Sequence, residues 1–584
     1  MPNPKILFRT VLIAIGLGVM CFAAVVSNTS YAGVLLGENA KDLSFGPPLF
    51  RALLLFHGAL LIVIGLLWKG RASNPGEREA TGITRLSWIA LSVLTLLALG
   101  LRLWNLNSGL WVDEFFTLLD FVRAPIGEIL TSFPSQNQHM LYSILANFSI
   151  GIFGESAWSL RLPAVLFGVA SIVALFWFGK ELIGEKEAIL ACALMTVSYH
   201  HVWFSQNARG YTGLLFFTIL ATWLWIKALK QNGWIWWVAY TAAVVGGMWV
   251  HMTMAFVIAA HGLVHIALLA FPRLSGEQIS LERKAGAKPF VAWVLSVTVT
   301  MQLYALALPE FLRTGLHEES RNSEWTNPIW VLTEILQNLS IGFAGIAVVL
   351  VGAAFFAFGW YRLFKKDRRS AVLMVLPPCF AGSLMMALGH NLFPRFFFFA
   401  MGFGLIIAIY GAIELPKVAA RLIDRSANKW RLPQLAGYAL MVVMIAVSLT
   451  TVPRNYSLPK QDFSGAKEFV DANRLPDDKV VAVSIAGDIY ERYFTSQWPV
   501  AKTGAELAAI EKDHERVWLI YTLSLEIETF RPEVWRMIQS DYKTIKIFPG
   551  TLNGGEIFVC QRRKIDEVGN ESSKFVAVSE NNSF

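Results

Sequence analysis

Runs of roughly 17–25 apolar residues recur along this chain, each long enough to cross ~30 Å of hydrocarbon. With 55% hydrophobic and only 16% charged residues among 584, a soluble core of this size would lack the charge to coat its surface. The sequence therefore reads as a polytopic α-helical membrane protein. The candidate spans are about 6–26, 49–68, 85–104, 161–180, 187–204, 210–230, 234–250, 252–271, 288–308, 337–360, 371–389, 395–414 and 434–452. The net charge of +8 does not point to nucleic acid, because Lys and Arg cluster in short loops between the apolar runs. Cys21, Cys192, Cys379 and Cys560 show no paired spacing, so neither a zinc site nor a disulfide framework is indicated. The first run could be a signal peptide cleaved after Ala32, but its length favours a retained helix.

Loop charge decides the topology. The loop 69–85, the loop 272–289, the stretch 361–370 and the segment 415–433 are all basic. They fall on one side if the apolar stretch 139–154 lies along the interface as an amphipathic segment. If that stretch spans, every later loop changes sides and the positive-inside rule is broken repeatedly. This gives about thirteen spans and leaves 105–160 as one large outer loop. Residues 1–70 form a two-helix extension and 85–452 the membrane core. Residues 453–584 turn polar, with helix-like stretches (463–475, 532–542) among strand-like ones (479–485, 515–523, 555–563). They suggest a small α/β domain outside the membrane with a disordered tail.

The outer side is where the unexplained polar residues gather. Asp113 and Glu114 are embedded in "LWVDEFFTLLDF". Acids after a span commonly sit in water and cap the next helix. Here the surrounding segment is apolar, and partial desolvation makes a carboxylate a better proton acceptor at neutral pH. Adjacent residues point in different directions, so one acid can face a substrate while the other orients the loop. Arg209 and Tyr211, in "FSQNARGYTG", stand at a span boundary, and Arg395 begins an aromatic span after Pro394. A lone Arg at such a place often only snorkels, whereas two on the same side as two acids suit a phosphate whose tail stays in lipid. His139 and His251 fall on that side as candidate substrate contacts. His261 and His265, four apart on one helix, read as a packed polar pair rather than metal ligands.

The ordered set of segments resembles the GT-C superfamily of polyprenyl-phosphate-sugar glycosyltransferases, in particular the protein O-mannosyltransferases and lipid A aminoarabinose transferases. The set runs "LRLWNLNSGLWVDE", "QHMLYSIL", "GESAWSLRLPAVLFG", "FSQNARGY", "WVHMTMAF", "FPRFFFF" and "QDFSGAKEFVDANRLPDDKVVAV", within about residues 85–560. Met140 stands where the family commonly has proline. The resemblance implies a GT-C fold, with Asp113 as catalytic base, Glu114 as its neighbour, Arg209 and Arg395 near the donor phosphate, and His139 at the family histidine. It also implies a polyprenyl-phosphate-sugar donor, an envelope glycan, lipid or protein acceptor, inversion at the anomeric carbon, and an inner-membrane enzyme with its site outside. The chemistry as read requires no nucleotide and no metal. The competing class is a transporter or flippase of lipid-linked glycans, which would carry ionisable residues at the bilayer midplane and inverted repeats; neither is evident.

Overall fold

The computed structural model describes residues 4–27, 30, 45–67, 82–271, 286–315, 325–342, 345–423 and 432–563. Expected features that fall wholly or partly outside them are the tail after 563 and three of the four basic segments, 69–85, 272–289 and 415–433. The described residues divide into two compact units. The first comprises those within 1–104, 121–320 and 325–452; the second those within 105–120 and 453–584.

The first unit is helical. Nine helices among the described residues are long and apolar enough to cross a membrane: Ile6–Val25, Gly46–Leu66, Arg85–Leu103, Ala157–Leu182, Tyr211–Gln231, Ile346–Lys366, Arg368–Ala387, Pro394–Ile423 and Leu432–Ser457. Glu185–Thr196 and Tyr199–Ser205 make a tenth span if taken together, bent by 63° at their junction. The protein is thus a multi-pass membrane protein. Of the thirteen expected spans, 234–250, 252–271 and 288–308 have no counterpart among these ten. Trp234–Val250 and Met254–Ala270 have 17 residues each, about 26 Å at ~1.5 Å per residue, the lower limit of spanning length. The expected span 337–360 is two helices, Pro328–Gly342 and Ile346–Lys366, the second entered through Gly345 at φ +119°. Met140–Phe153, at 14 residues, is too short to cross alone.

The core of this unit is continuous and aromatic, with Phe176, Phe178, Trp225, Trp237, Phe399 and Phe403 buried in it. Glycine sets its closest approach. Gly359 and Gly411 face each other across Ile346–Lys366 and Met401–Ile423, and a Cβ on either would collide with the other helix's backbone. Small residues at such crossings let membrane helices pack backbone to backbone.

The break at 197–198 has a chemical cause. Ser198 caps the second helix by accepting from the His201 amide, and helix ends leave carbonyls without intrahelical partners. The fully buried Arg102 guanidinium supplies them: it donates to Met195 O (3.3 Å) and Thr196 O (3.2 Å), and also to Ser205 Oγ (3.2 Å). It lies 2.5 Å from His201 Nδ1, whose Nε2 is 2.9 Å from Ser171 Oγ.

The second unit holds a five-stranded sheet: β1 (Lys479–Val483), β2 (Val500–Ala501), β3 (Val517–Tyr521), β4 (Tyr542–Phe548) and β5 (Ile557–Arg562), in the order β2-β1-β3-β5-β4. β2, β1 and β3 run parallel, and β5 is antiparallel to both its neighbours, β3 and β4. Val481, Leu519, Tyr521, Ile538 and Cys560 belong to its core. The helices Phe463–Asn473 and Pro532–Asp541 and the strands β1, β3 and β5 stand where the hydropathy pattern predicts them. β4 goes unpredicted because its middle five residues lie outside the core, with Lys543 and Lys546 charging the edge and a bulge between Thr544 and Lys546.

Residues 105–120, expected as part of one continuous outer loop, group with this second unit. Phe115 sits among Phe463, Tyr493 and Phe494 at ring-centroid distances of 5.4, 4.7 and 6.0 Å. Asp120 pairs with Arg492 at 2.5 Å.

Candidate functional site

The sequence-derived site residues fall into two groups, one in each unit.

In the first unit, His139, Arg209, Tyr211, His251 and Arg395 come together. His139 precedes the helix Met140–Phe153; Arg209 and Gly210 lie between Tyr199–Ser205 and Tyr211–Gln231; His251 ends Trp234–Val250. The imidazoles of His139 and His251 meet edge to face at 4.4 Å, and Tyr211 lies 5.6 Å from the first and 5.5 Å from the second. Arg209 is buried, donates to Asn137 O at 2.9 Å and lies 5.8 Å from the Tyr211 ring centre. The guanidinium of Arg395 rests over Phe393 at 4.5 Å.

Two backbone contacts define the histidine tautomers. The Gly210 amide donates to His139 Nδ1 (2.9 Å), and the Thr253 amide donates to His251 Nδ1 (3.2 Å). An Nδ1 that accepts leaves the proton of a neutral ring on Nε2. Both rings are neutral. Burial, then Arg209, His251 and Arg395, hold His139 well below 6.5; burial, then Arg209 and Arg395, bring His251 down to about 3. The group therefore combines two guanidinium cations with two Nε2–H donors and a phenol, a composition suited to an anion.

In the second unit, Asp113 and Glu114 occupy the first turn of a short helix, Val112–Phe116. Their environments differ. Glu114 is fully buried; its carboxylate accepts from the Trp111 amide at 3.3 Å and lies 3.6 Å from Lys460 Nζ. Asp113 is half-buried. Glu114 is thereby tied into its own unit.

Among the described residues, no three of His, Cys, Asp or Glu gather as a metal's ligand set. His261 is a packed residue: Thr222 Oγ1 and Tyr240 OH lie 3.1 and 3.2 Å from its two nitrogens, and Trp225 stacks on it. Sequence reasoning passed over Lys460, Gln461 and Arg102. The signal for Arg102 was available, since a charge inside an apolar run calls for a partner.

Residues 138–307 match the sequence model of the dolichyl-phosphate-mannose-protein mannosyltransferase family. The stretch holds His139, Arg209, Tyr211 and His251. Over this stretch, 170 of its 584 residues, the chain is similar to that family. A putative mannosyltransferase, YkcB of Bacillus subtilis (strain 168), is 30% identical over 130 residues, 22% of this chain and 18% of that protein. The chain thus aligns with less than a fifth of that relative's length. Two solved structures are also similar. ArnT from Cupriavidus metallidurans, bound to undecaprenyl phosphate, has 12% identity and a TM-score of 0.48, covering 82% of this chain and 98% of its own. The archaeal oligosaccharyltransferase AglB from Archaeoglobus fulgidus, in complex with an inhibitory peptide and a dolichol-phosphate, has 11% identity and a TM-score of 0.49, covering 81% and 74%. The matched stretch excludes Asp113, Glu114 and Arg395.

Proposed function

We propose that this protein is a membrane glycosyltransferase of the GT-C type that moves a sugar from a polyprenyl-phosphate-linked donor to an acceptor hydroxyl, with inversion, on the extracytoplasmic side of the inner membrane. The observation that carries the reading is the cluster of Arg209, Arg395, His139, His251 and Tyr211. It concentrates positive charge and neutral N–H donors beside apolar helices, as a phosphate with a lipid tail requires.

The acceptor oxygen attacks the anomeric carbon as the bond from that carbon to the phosphate oxygen breaks. The acceptor proton passes to Asp113, and the leaving polyprenyl phosphate gains one negative charge. Arg209 and Arg395 stabilise that charge as it develops. His139 and His251 donate through Nε2–H and, staying neutral, do not compete for the acceptor's proton. Glu114 orients the turn that carries Asp113. The acceptor is an envelope glycan, lipid or protein.

The test compares envelope glycans and glycolipids by mass spectrometry in a deletion strain carrying nothing, the wild type, or Asp113→Asn at matched protein level. Loss of one sugar increment in the deletion, restored by the wild type but not by Asp113→Asn, is the expected result. Restoration by Asp113→Asn sinks the assignment of the base.

A further inference from the structure

Asp113 is flanked by two residues whose positions are set by a dipeptide far along the chain. On one side, the Val112 amide donates to Gln461 Oε1 at 2.9 Å across 349 residues of sequence. On the other, the Glu114 carboxylate lies 3.6 Å from Lys460 Nζ while accepting from the Trp111 amide. Lys460, Gln461 and Glu114 are 6%, 1% and 0% exposed. These are buried polar contacts, where geometry is enforced by the cost of leaving a partner unmade.

The dipeptide is itself held. Gln461 Nε2 donates to Thr522 Oγ1 at 3.0 Å and to Gly555 O at 2.8 Å. Thr522 directly follows β3, and its hydroxyl also donates to Gly555 O at 3.2 Å. Behind the side chains, the Thr551 amide donates to Pro459 O (2.9 Å) and the Leu552 amide to Lys460 O (3.2 Å). Gly550 lets this approach happen, because a Cβ there would collide with the Lys460 carbonyl. One amide side chain thus ties the backbone beside Asp113 to the carboxyl end of a central strand.

We propose that Lys460 and Gln461 are positioning residues for transfer, and that the soluble α/β domain sets the aim of the Asp113 carboxylate. The inference rests on the reading of Asp113 as the base. It gives the C-terminal domain a part in the reaction itself: the domain supplies the frame of the acid-bearing turn.

The experiment uses full-length protein in the deletion strain at matched level, with Asp113→Asn, Gln461→Met, Lys460→Met and Lys460→Arg. The rate at which the missing glycan increment reappears after induction is read by mass spectrometry. Amide hydrogen exchange of the purified variants is followed over 109–116, 479–483 and 517–521. A misplacement of ~1 Å costs on the order of 10²-fold in rate, so Gln461→Met and Lys460→Met should transfer at about a hundredth of the wild-type rate, with Lys460→Arg within several-fold of it. Exchange should quicken over 109–116 and stay unchanged in β1 and β3. If Asp113→Asn is inactive while both Met variants transfer normally, the positioning role is overturned and the base assignment stands. Exchange that quickens across β1 and β3 as well overturns it too, since the pair then serves the domain's fold at large. If Asp113→Asn itself transfers normally, the underlying reading fails first and the inference falls with it.

Discussion

Gly210→Ala tests whether the arginine–histidine cluster works as a unit. Gly210 sits at φ −75° and ψ 4°, a conformation alanine adopts without strain, so backbone freedom is not at issue. Reducing the freedom of the unfolded chain would by itself stabilise by about 0.4–1 kcal/mol. Space is the obstacle. A Cβ there would lie 2.5 Å from His139 Nδ1 and 2.9 Å from Val250 O. Ordinary contact needs about 3.5 Å, so the imidazole must retreat by about 1 Å, breaking its hydrogen bond from the Gly210 amide. Overpacking of this kind costs about 1–3 kcal/mol, which exceeds the entropic gain and leaves a net loss of about 1–2 kcal/mol. A shift of ~1 Å in a positioned group costs on the order of 10²-fold in rate. Thermal unfolding of the purified protein should therefore show a modest fall, while glycan transfer in the deletion strain falls far more. Gly210→Ala protein that transfers at the wild-type rate would refute the reasoning, because His139 would then have moved without consequence.

Arg209→Gln and Arg395→Gln should each lower transfer on the order of 10²-fold, with Lys at either position recovering only part of it, since the planar fork is lost with the guanidinium; the glycan assay at matched protein level reads this. His251 is held down to about 3 from an ordinary 6.5, so its contribution to stability is complete above pH 6.5. It is lost as pH falls toward 3, because the unfolded chain takes up a proton that the folded chain refuses, at about 1.4 kcal/mol per pH unit. Unfolding followed in detergent from about pH 4 to about pH 7 should accordingly have a shallower pH slope in His251→Asn. Arg102→Met removes the donor from Met195 O, Thr196 O and Ser205 Oγ and should cost on the order of 3 kcal/mol, seen as a lowered midpoint of thermal unfolding.

What could be read in the sequence was what repeats or alternates. Apolar length located the membrane helices, and alternation located β1, β3 and β5, because both periods express burial directly. What could not be read depended on interruptions and on distance. No hydropathy window shows that Arg102 completes the broken helix at 197–198, or that an edge strand such as β4 carries too little buried surface to reveal itself. The site divides the same way. Arg209, Arg395, His139 and His251 were conspicuous because polar groups at apolar boundaries are costly. Lys460 and Gln461 were not, since in a polar stretch neither residue type is unusual. Their meaning arises only when folding sets Gln461 opposite the Val112 amide, 349 residues earlier. A sequence discloses groups that are expensive where they stand. It conceals groups whose value lies in what they hold, and the turn bearing Asp113 is held by two of that second kind.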